Sequence, residues 1–220
     1  MSPGAGPSRA GDVADPARPD DVTRREVVGL MGAGLMALGL PGCADSGPLI
    51  TRRSEMDLGA VFDAHVKHEF VDKDVEATML TMTPEPYVWN VPTMLGGMGA
   101  EGVRRFYTDH FVGKMPPDTK VVQVSRTVGV DRVVDELVLS FTHDRPVDFM
   151  LPGIAPTGRH VEVPHVVVMK FENGRIAHEH IYWDQASVLA QVGLLDPAKL
   201  PVTGGEQARK LLDGSLKSRG

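Results

Sequence analysis

The sequence of 220 residues is poor in cysteine, in aromatic side chains and in basic charge, and each shortage excludes a class of protein. Its single cysteine allows neither an internal disulfide nor a metal site built from several thiolates. Aromatic residues make up 5% and the net charge is -6, so the chain has neither the stacking rings nor the basic face of a nucleic-acid-binding protein. The hydrophobic content of 42% nevertheless suits a globular core.

Residues 1–42 are predicted to form an export signal. The first 22 residues are rich in Pro, Gly, Ala and Asp and contain too few large apolar side chains to fold. Arg24 and Arg25 then precede an uncharged run from Val27 to Leu40. As a helix this run would be roughly 21 Å long, shorter than the roughly 30 Å hydrocarbon core of a bilayer. We therefore interpret it as part of a signal peptide, not as a membrane span.

The end of this segment suggests a lipid anchor. Paired arginines before a Gly-rich apolar run resemble a twin-arginine export signal. The sequence Leu40-Pro41-Gly42-Cys43 resembles a lipobox, which implies that Cys43 is acylated and begins the mature protein. The chain is then expected to be an exported lipoprotein, anchored to a membrane of the cell envelope or periplasm. An ordinary cleaved signal with an incidental cysteine and an uncleaved anchor remain as alternatives.

Periodicity divides the mature chain into a tether (43–57), a domain (58–197) and a flexible C-terminal tail (198–220). Apolar residues recur at helical spacing from Leu58 to Phe70, and Pro84 ends a second short helix. After a strand at 86–91 and a glycine-rich turn, a helix is predicted over 100–111. The remaining elements are strands at 120–128, 132–143, 159–172 and 175–183, and a helix at 186–195. This order predicts an α+β fold with N-terminal helices packed on a curved antiparallel sheet.

Asn173-Gly174 is typical of a two-residue hairpin turn, which predicts that Glu172 faces Arg175. Strict alternation from this pair divides the two strands into two faces. The expected cavity face carries Val163, His165, Val167, Met169, His178, His180, Tyr182 and Asp184. An acid among imidazoles on an apolar wall suits acid–base chemistry. The opposite face, with Val166, Val168, Ile181 and Trp183, is too apolar for water and is expected to form a homodimer interface.

Other interpretations of the histidines remain open. They could be hydrogen-bonded structural residues, or His178 and His180 with His165 across the hairpin could bind zinc. Weaker candidates for a site are His143, Asp144, His65 and His68, and the last two are expected on a solvent-exposed helix face. The sequence contains neither the Gly-x-Ser-x-Gly motif of serine hydrolases nor a phosphate-binding glycine loop.

The segment from His178 to Asp184, followed by a helix ending at Leu194, resembles the SnoaL-like polyketide cyclase (ester cyclase) branch of the nuclear transport factor 2-like superfamily. That resemblance implies a conical fold over about 58–197 and an enzyme without metal or organic cofactor. It makes Asp184 the general acid–base of an intramolecular aldol closure and Asn90 a hydrogen-bonding partner of the substrate carbonyl. His178 stands in place of the usual acid and His180 in place of the usual aromatic residue.

We therefore expect a lyase or isomerase that acts on a small, mostly apolar carbonyl compound. The expected catalytic residues are Asp184, His165, His180 and Asn90. The expected substrate-binding residues are Tyr182, His178, Met169, Val167 and Val163. A domain of the same fold that binds a small ligand without transforming it is the alternative.

Overall fold

A computed structural model describes residues 57–217. The predicted signal peptide, Cys43 and all of the predicted tether except Asp57 lie outside the described residues. Between residues 57 and 217, no helix is both long enough and apolar enough to cross a bilayer.

Five helices occur in the described part of the chain, and three of them begin at an aspartate that caps them. The carboxylates of Asp57, Asp74 and Asp184 accept hydrogen bonds from backbone N–H groups three residues further on, which are otherwise unpaired at a helix start. The first and third helices each continue into a π-helical turn, His68–Asp72 and Tyr107–Phe111. The helices are α1 (Leu58–Lys67), α2 (Val75–Leu80), α3 (Gly99–Phe106), α4 (Gln185–Gln191) and α5 (Glu206–Leu212).

Six strands form one sheet in the order β2-β1-β6-β5-β4-β3. They are β1 (Met82–Asn90), β2 (Leu95–Met98), β3 (Lys120–Val128), β4 (Arg132–Thr142), β5 (His160–Glu172) and β6 (Arg175–Trp183). Four neighbouring pairs are antiparallel, as expected, but β1 and β6 run parallel. The predicted α+β fold class is confirmed.

Strand β1 begins at Met82, before the predicted start at Pro86. Its pairing with β6 is interrupted between Met82 and Tyr87, and both Pro84 and Pro86 lie in this interval. Proline has no N–H to donate to a neighbouring strand, so the interruption falls where the sequence cannot support pairing. From Tyr87 to Asn90 the strand pairs on both sides, and this segment places Asn90 at the cavity described below.

The hairpin between β5 and β6 forms at the predicted turn, but its register changes beyond the first pairs. Glu172 faces Arg175 and Phe171 faces Ile176, whereas Lys170 already faces His178. Ala177 is thus an extra residue, a β-bulge, and a shift of one residue exchanges the two faces of the strand beyond it. The predicted faces of β6 are therefore wrong from His178 onward.

Helices α1 and α3 pack with the inner face of the sheet around one hydrophobic core. The contact between β2 and α3 requires glycine, because a Cβ on Gly97 would lie 2.3 Å from the carbonyl oxygen of Gly102. The end of the chain packs on the domain as well. Ala208 of α5 is fully buried, and Arg209 forms an ion pair with Glu162 at 2.9 Å. Part of the segment predicted as a flexible tail is thus held against β5.

Candidate active site

A cavity of about 90 Å³ lies between the helices and the inner face of the sheet. Its walls are mostly apolar and include the rings of Phe62, Phe70, Phe106, Phe111 and Phe149. The volume is well below the range of about 300–1,000 Å³ found for pockets that enclose drug-sized ligands. In this conformation the cavity therefore suits a small molecule, and a multi-ring compound would require it to widen.

Four polar side chains meet beside this cavity, and three of them, Glu69, Tyr107 and Glu179, line it. His65 and Glu69 come from α1 and its π-helical extension, Tyr107 from the end of α3, and Glu179 from the inner face of β6. All four are buried. Tyr107 donates a 2.7 Å hydrogen bond to Oε1 of Glu179, and Nε2 of His65 lies 3.0 Å from the same oxygen. Nε2 also lies 3.3 Å from Oε1 of Glu69. We call these four residues the polar cluster.

The hydrogen bonds place the protons on His65. The Thr81 hydroxyl donates to the carbonyl oxygen of Thr78, so it accepts a hydrogen bond from Nδ1 of His65 at 2.6 Å. Nδ1 therefore carries a proton. Nε2 faces two carboxyl groups, which favour a second proton there. His65 is then an imidazolium ion that donates from both nitrogens.

The electrostatics of the cluster agree with this arrangement. Burial alone lowers the pKa of His65, but the charges of Glu179 and Glu69 outweigh burial and raise the pKa to about 10. Burial raises the pKa of Glu69, although the charge of His65 opposes this rise. Burial and the two carboxylates raise the pKa of Tyr107 well above its usual value, so it remains a hydrogen-bond donor. The cluster thus combines a cation, a carboxylate and a carboxyl group that retains its proton more readily than usual.

A second polar group lines the cavity where α1 approaches β3 and β4. Arg126 donates from Nε and Nη2 to the two carboxylate oxygens of Asp135, at 2.6 and 2.7 Å. Its Nη2 also lies 2.8 Å from the exposed carboxylate of Asp63 on α1. Because Asp135 is buried and Asp63 is not, Arg126 connects the interior to the surface. The nearby carboxylates raise the pKa of Arg126 further, so its charge is permanent.

The structure places two predicted catalytic residues at the cavity, His165 and Asn90. Asn90 is buried, and its amide donates to the carbonyl oxygen of Leu95 at 3.2 Å. His165 stacks on Trp183 with the ring centroids 5.3 Å apart. Among the predicted binding residues, Val167 and Met169 line the cavity, whereas Val163 is buried in the core beside it.

The bulge at Ala177 moves the other predicted residues of β6 to the outer face of the sheet. There His178 and His180 stack at 4.4 Å between ring centroids, and His178 stacks on Tyr87 at 4.7 Å. Tyr182 is 42% exposed on the same face. In exchange, Glu179, Ile181 and Trp183 point inward. The prediction that His178, His180 and Tyr182 share a face with His165 is wrong.

Asp184 lies outside the cavity as well. Its exposed carboxylate caps α4 through the N–H of Ser187 and accepts a hydrogen bond from Gln207 of α5 at 3.2 Å. These contacts give Asp184 a structural role at a helix start, and the described geometry brings it to none of the other candidate residues.

Of the polar cluster, only His65 was a candidate from the sequence, and a weak one, although α1 carried a usable signal. His65 and Glu69 follow Phe62 at intervals of three and four residues, which places them on the apolar stripe of the helix. The expectation of a solvent-exposed face is wrong for His65, which is fully buried. The expectation agrees better with His68, whose side chain is 27% exposed and pairs with Asp72. Glu179 was assigned to the outer face only because strict alternation ignores a bulge.

The residues that could hold a metal ion are also different from those expected. One ligand atom each from His65, Glu69 and Glu179 lies within 4.8 Å of the others. The zinc alternative with His165, His178 and His180 is excluded by geometry, because His165 lies on the opposite side of the sheet from the other two.

Fold and site together define a class of protein. A curved six-stranded sheet with helices over a cavity on its inner face is the nuclear transport factor 2-like cone, as the resemblance implied. More narrowly, the chain belongs to the SnoaL-like polyketide cyclase family, whose sequence model matches residues 60–192. No curated protein sequence matches the chain significantly.

Solved structures share the fold. One is a protein from Jannaschia sp. CCS1 assigned to the SnoaL-like polyketide cyclases, with 22% identity and a TM-score of 0.50. The match covers 62% of this chain and 94% of that one. Another is AclR from Streptomyces galilaeus, assigned as a hydroxylase, with 19% identity and a TM-score of 0.50. It covers 65% of this chain and 89% of that one. At these identities the likeness concerns the fold.

Proposed function

We propose that this protein is a SnoaL-type lyase or isomerase that moves protons on a small, largely apolar carbonyl compound. One observation carries the proposal: two buried glutamates, held by a histidine and a tyrosine, meet at the wall of a mostly apolar cavity. Buried carboxyl groups in an apolar cavity are suited to acid–base chemistry, because the surroundings adjust their proton affinity and exclude water.

Glu179 is the proposed base. Its contacts with Tyr107 and His65 both use Oε1, which leaves Oε2 to accept a proton from the carbon next to the substrate carbonyl. The Tyr107 and His65 contacts hold the carboxylate in place while the proton moves. Glu69 is the proposed acid, since burial raises its pKa and its carboxyl group lines the same cavity.

The charges of the cluster favour this step. Before the transfer, the imidazolium of His65 balances the carboxylate of Glu179. Once Glu179 is protonated, the positive charge on His65 remains and attracts the enolate that has formed. In a site with few competing waters such a preorganised charge stabilises the intermediate more strongly than it would in water. The enolate can then be reprotonated at another atom or attack a second carbonyl of the same molecule.

Hydrogen exchange tests this proposal without the natural substrate. Cyclopentanone is incubated with the protein in D2O, and loss of the protons next to the carbonyl is followed by NMR. We expect Glu179→Gln to slow the protein-catalysed exchange by about 10²–10⁴-fold, the usual contribution of a general base. The control is Glu172→Gln, which alters an exposed carboxylate on the same hairpin and should leave the rate unchanged.

Equal exchange by the wild-type protein and Glu179→Gln would overturn the proposal. If the wild-type protein binds cyclopentanone but does not accelerate exchange, the alternative of a non-catalytic ligand-binding domain is favoured. Export, acylation of Cys43 and dimerisation through the outer sheet face stay predictions from the sequence, since no described contact bears on them. Of the residues predicted for that interface, Val166 and Val168 face outward, whereas Ile181 and Trp183 do not.

A further inference from the structure

We infer that His165 is a binding site for a hydrogen-bond donor on the ligand, so that the substrate is a carbonyl compound that also bears a hydroxyl or N–H group. This inference rests on the proposed function for the carbonyl group, but its evidence comes from another part of the cavity. His165 then binds the ligand, whereas the sequence predicted that it takes part in proton transfer.

The ring of His165 is held in one tautomer by the backbone. Nδ1 lies 3.2 Å from the carbonyl oxygen of Val163, which can only accept a hydrogen bond. Nδ1 therefore carries the proton, and Nε2 of the neutral ring presents a lone pair. Burial lowers the pKa of His165 to about 4, which keeps the ring neutral at physiological pH. In this state Nε2 is an acceptor and has no proton to give.

The Nε2 atom of His165 lacks a hydrogen-bond partner. It is buried and forms no hydrogen bond with any residue of the described chain. The ring itself lines the cavity, beside Leu137 and Val167, and neither of these neighbours can donate a hydrogen bond. Buried polar atoms are usually paired, and an unpaired one on a residue that lines a cavity is a natural place for a ligand group.

These facts restrict the ligand chemically. A carbonyl or carboxylate oxygen would place one acceptor against another, whereas a hydroxyl or N–H group completes the missing bond. Glu179 pairs with Met169, which lies four residues from His165 along β5. This spacing separates the two backbone positions by about 13 Å. His165 and Glu179 therefore start from separate positions on the cavity wall and contact different atoms of the ligand.

Two probes of similar size and shape test this inference. Phenol carries a hydroxyl donor, and fluorobenzene carries fluorine in its place. We expect the wild-type protein to bind phenol roughly 3- to 10-fold more tightly than fluorobenzene, the value of one hydrogen bond. His165→Phe keeps a ring against Trp183 but removes the acceptor, so the preference should disappear. His160→Phe alters an exposed histidine of the same strand and should keep it.

A second measurement covers the case in which His165→Phe does not fold. In the wild-type protein, the ¹⁵N resonance of Nε2 of His165 should shift when phenol is added and should not shift with fluorobenzene. Equal affinity for the two probes, a preference that survives in His165→Phe, or an Nε2 resonance insensitive to phenol would overturn the inference. None of these measurements requires turnover. The inference on His165 can therefore be refuted while the exchange assay supports the proposed function, and the proposed function can be refuted while the binding measurements support the inference.

Discussion

His65 should make the stability of this protein decrease as the pH rises above neutral. The side chain is buried, and its pKa is raised from 6.5 to about 10 by two carboxyl groups that outweigh the effect of burial. A group whose pKa is higher in the folded state binds protons more tightly there. Its contribution is therefore complete below pH 6.5 and is lost as the pH rises towards 10.

The size of this effect can be bounded. A difference between 6.5 and about 10 corresponds to at most about 5 kcal/mol of free energy of unfolding. Replacing His65 by glutamine removes this contribution and leaves Glu179 buried without its cation. Breaking a buried ion pair from one side typically costs about 3–5 kcal/mol. Near pH 6.5 we therefore expect His65→Gln to be less stable than the wild-type protein by an amount in this range.

Urea unfolding followed by the fluorescence of Trp89 and Trp183 measures this difference across the pH range. The gap between wild-type protein and His65→Gln should be largest below pH 6.5 and should shrink as the pH rises towards 10. Groups remote from His65 titrate alike in both proteins and cancel in the comparison. His68→Gln is the matched control, because His68 lies one residue beyond α1 and pairs only at the surface with Asp72. If the gap stays constant with pH, His65 is not held as an imidazolium and the assigned charges of the cluster are wrong.

The remaining predictions concern residues around the site. Asp184→Ala should cost about 1 kcal/mol through the lost helix cap but leave hydrogen exchange unchanged, as measured by thermal unfolding and NMR. A loss of exchange as large as that of Glu179→Gln would place the acid–base group at Asp184. Asp135→Asn should cost about 3–5 kcal/mol because it leaves Arg126 without its buried partner. Asp63→Asn, at the exposed partner of the same arginine, should cost less than about 1 kcal/mol, and equal costs in urea unfolding would contradict this difference. Exchange should also survive a chelator, and loss that zinc restores would instead identify the three potential ligands of the cluster as a metal site.

Much of the fold could be predicted because its signals are local. The apolar stripe from Leu58 to Phe70 specifies α1, and Asn173-Gly174 forms the turn with positive φ at both residues. The parallel pairing of β1 with β6 could not be predicted, since it joins segments far apart in sequence that carry no common pattern. The resemblance supplied the overall architecture that local periodicity leaves open.

Less of the site could be predicted, for two separate reasons. His165 and Asn90 reach the cavity as expected, because β5 alternates without interruption on its inner face and β1 is paired on both sides at Asn90. Glu179 was missed because Ala177 is neither glycine nor proline, so nothing in the sequence announces a bulge there. His65 was placed on the helix surface because the charged residues Asp63 and Lys67 lie two positions to either side, and only the positions of Phe62 and Glu69 indicate otherwise.

The bulge at Ala177 means that β6 holds two alternative active-site linings in one stretch of sequence. With Ala177 left out of the pairing, the cavity receives Glu179, Ile181 and Trp183; if Ala177 instead faced Lys170, the same alternation would deliver His178, His180 and Tyr182. Deletion of Ala177 would remove the bulge and keep Glu179 opposite Met169, whereas regular pairing of Ala177 would put imidazoles into the cavity in place of the carboxylate. The chemistry of the cavity thus depends on one unpaired backbone position.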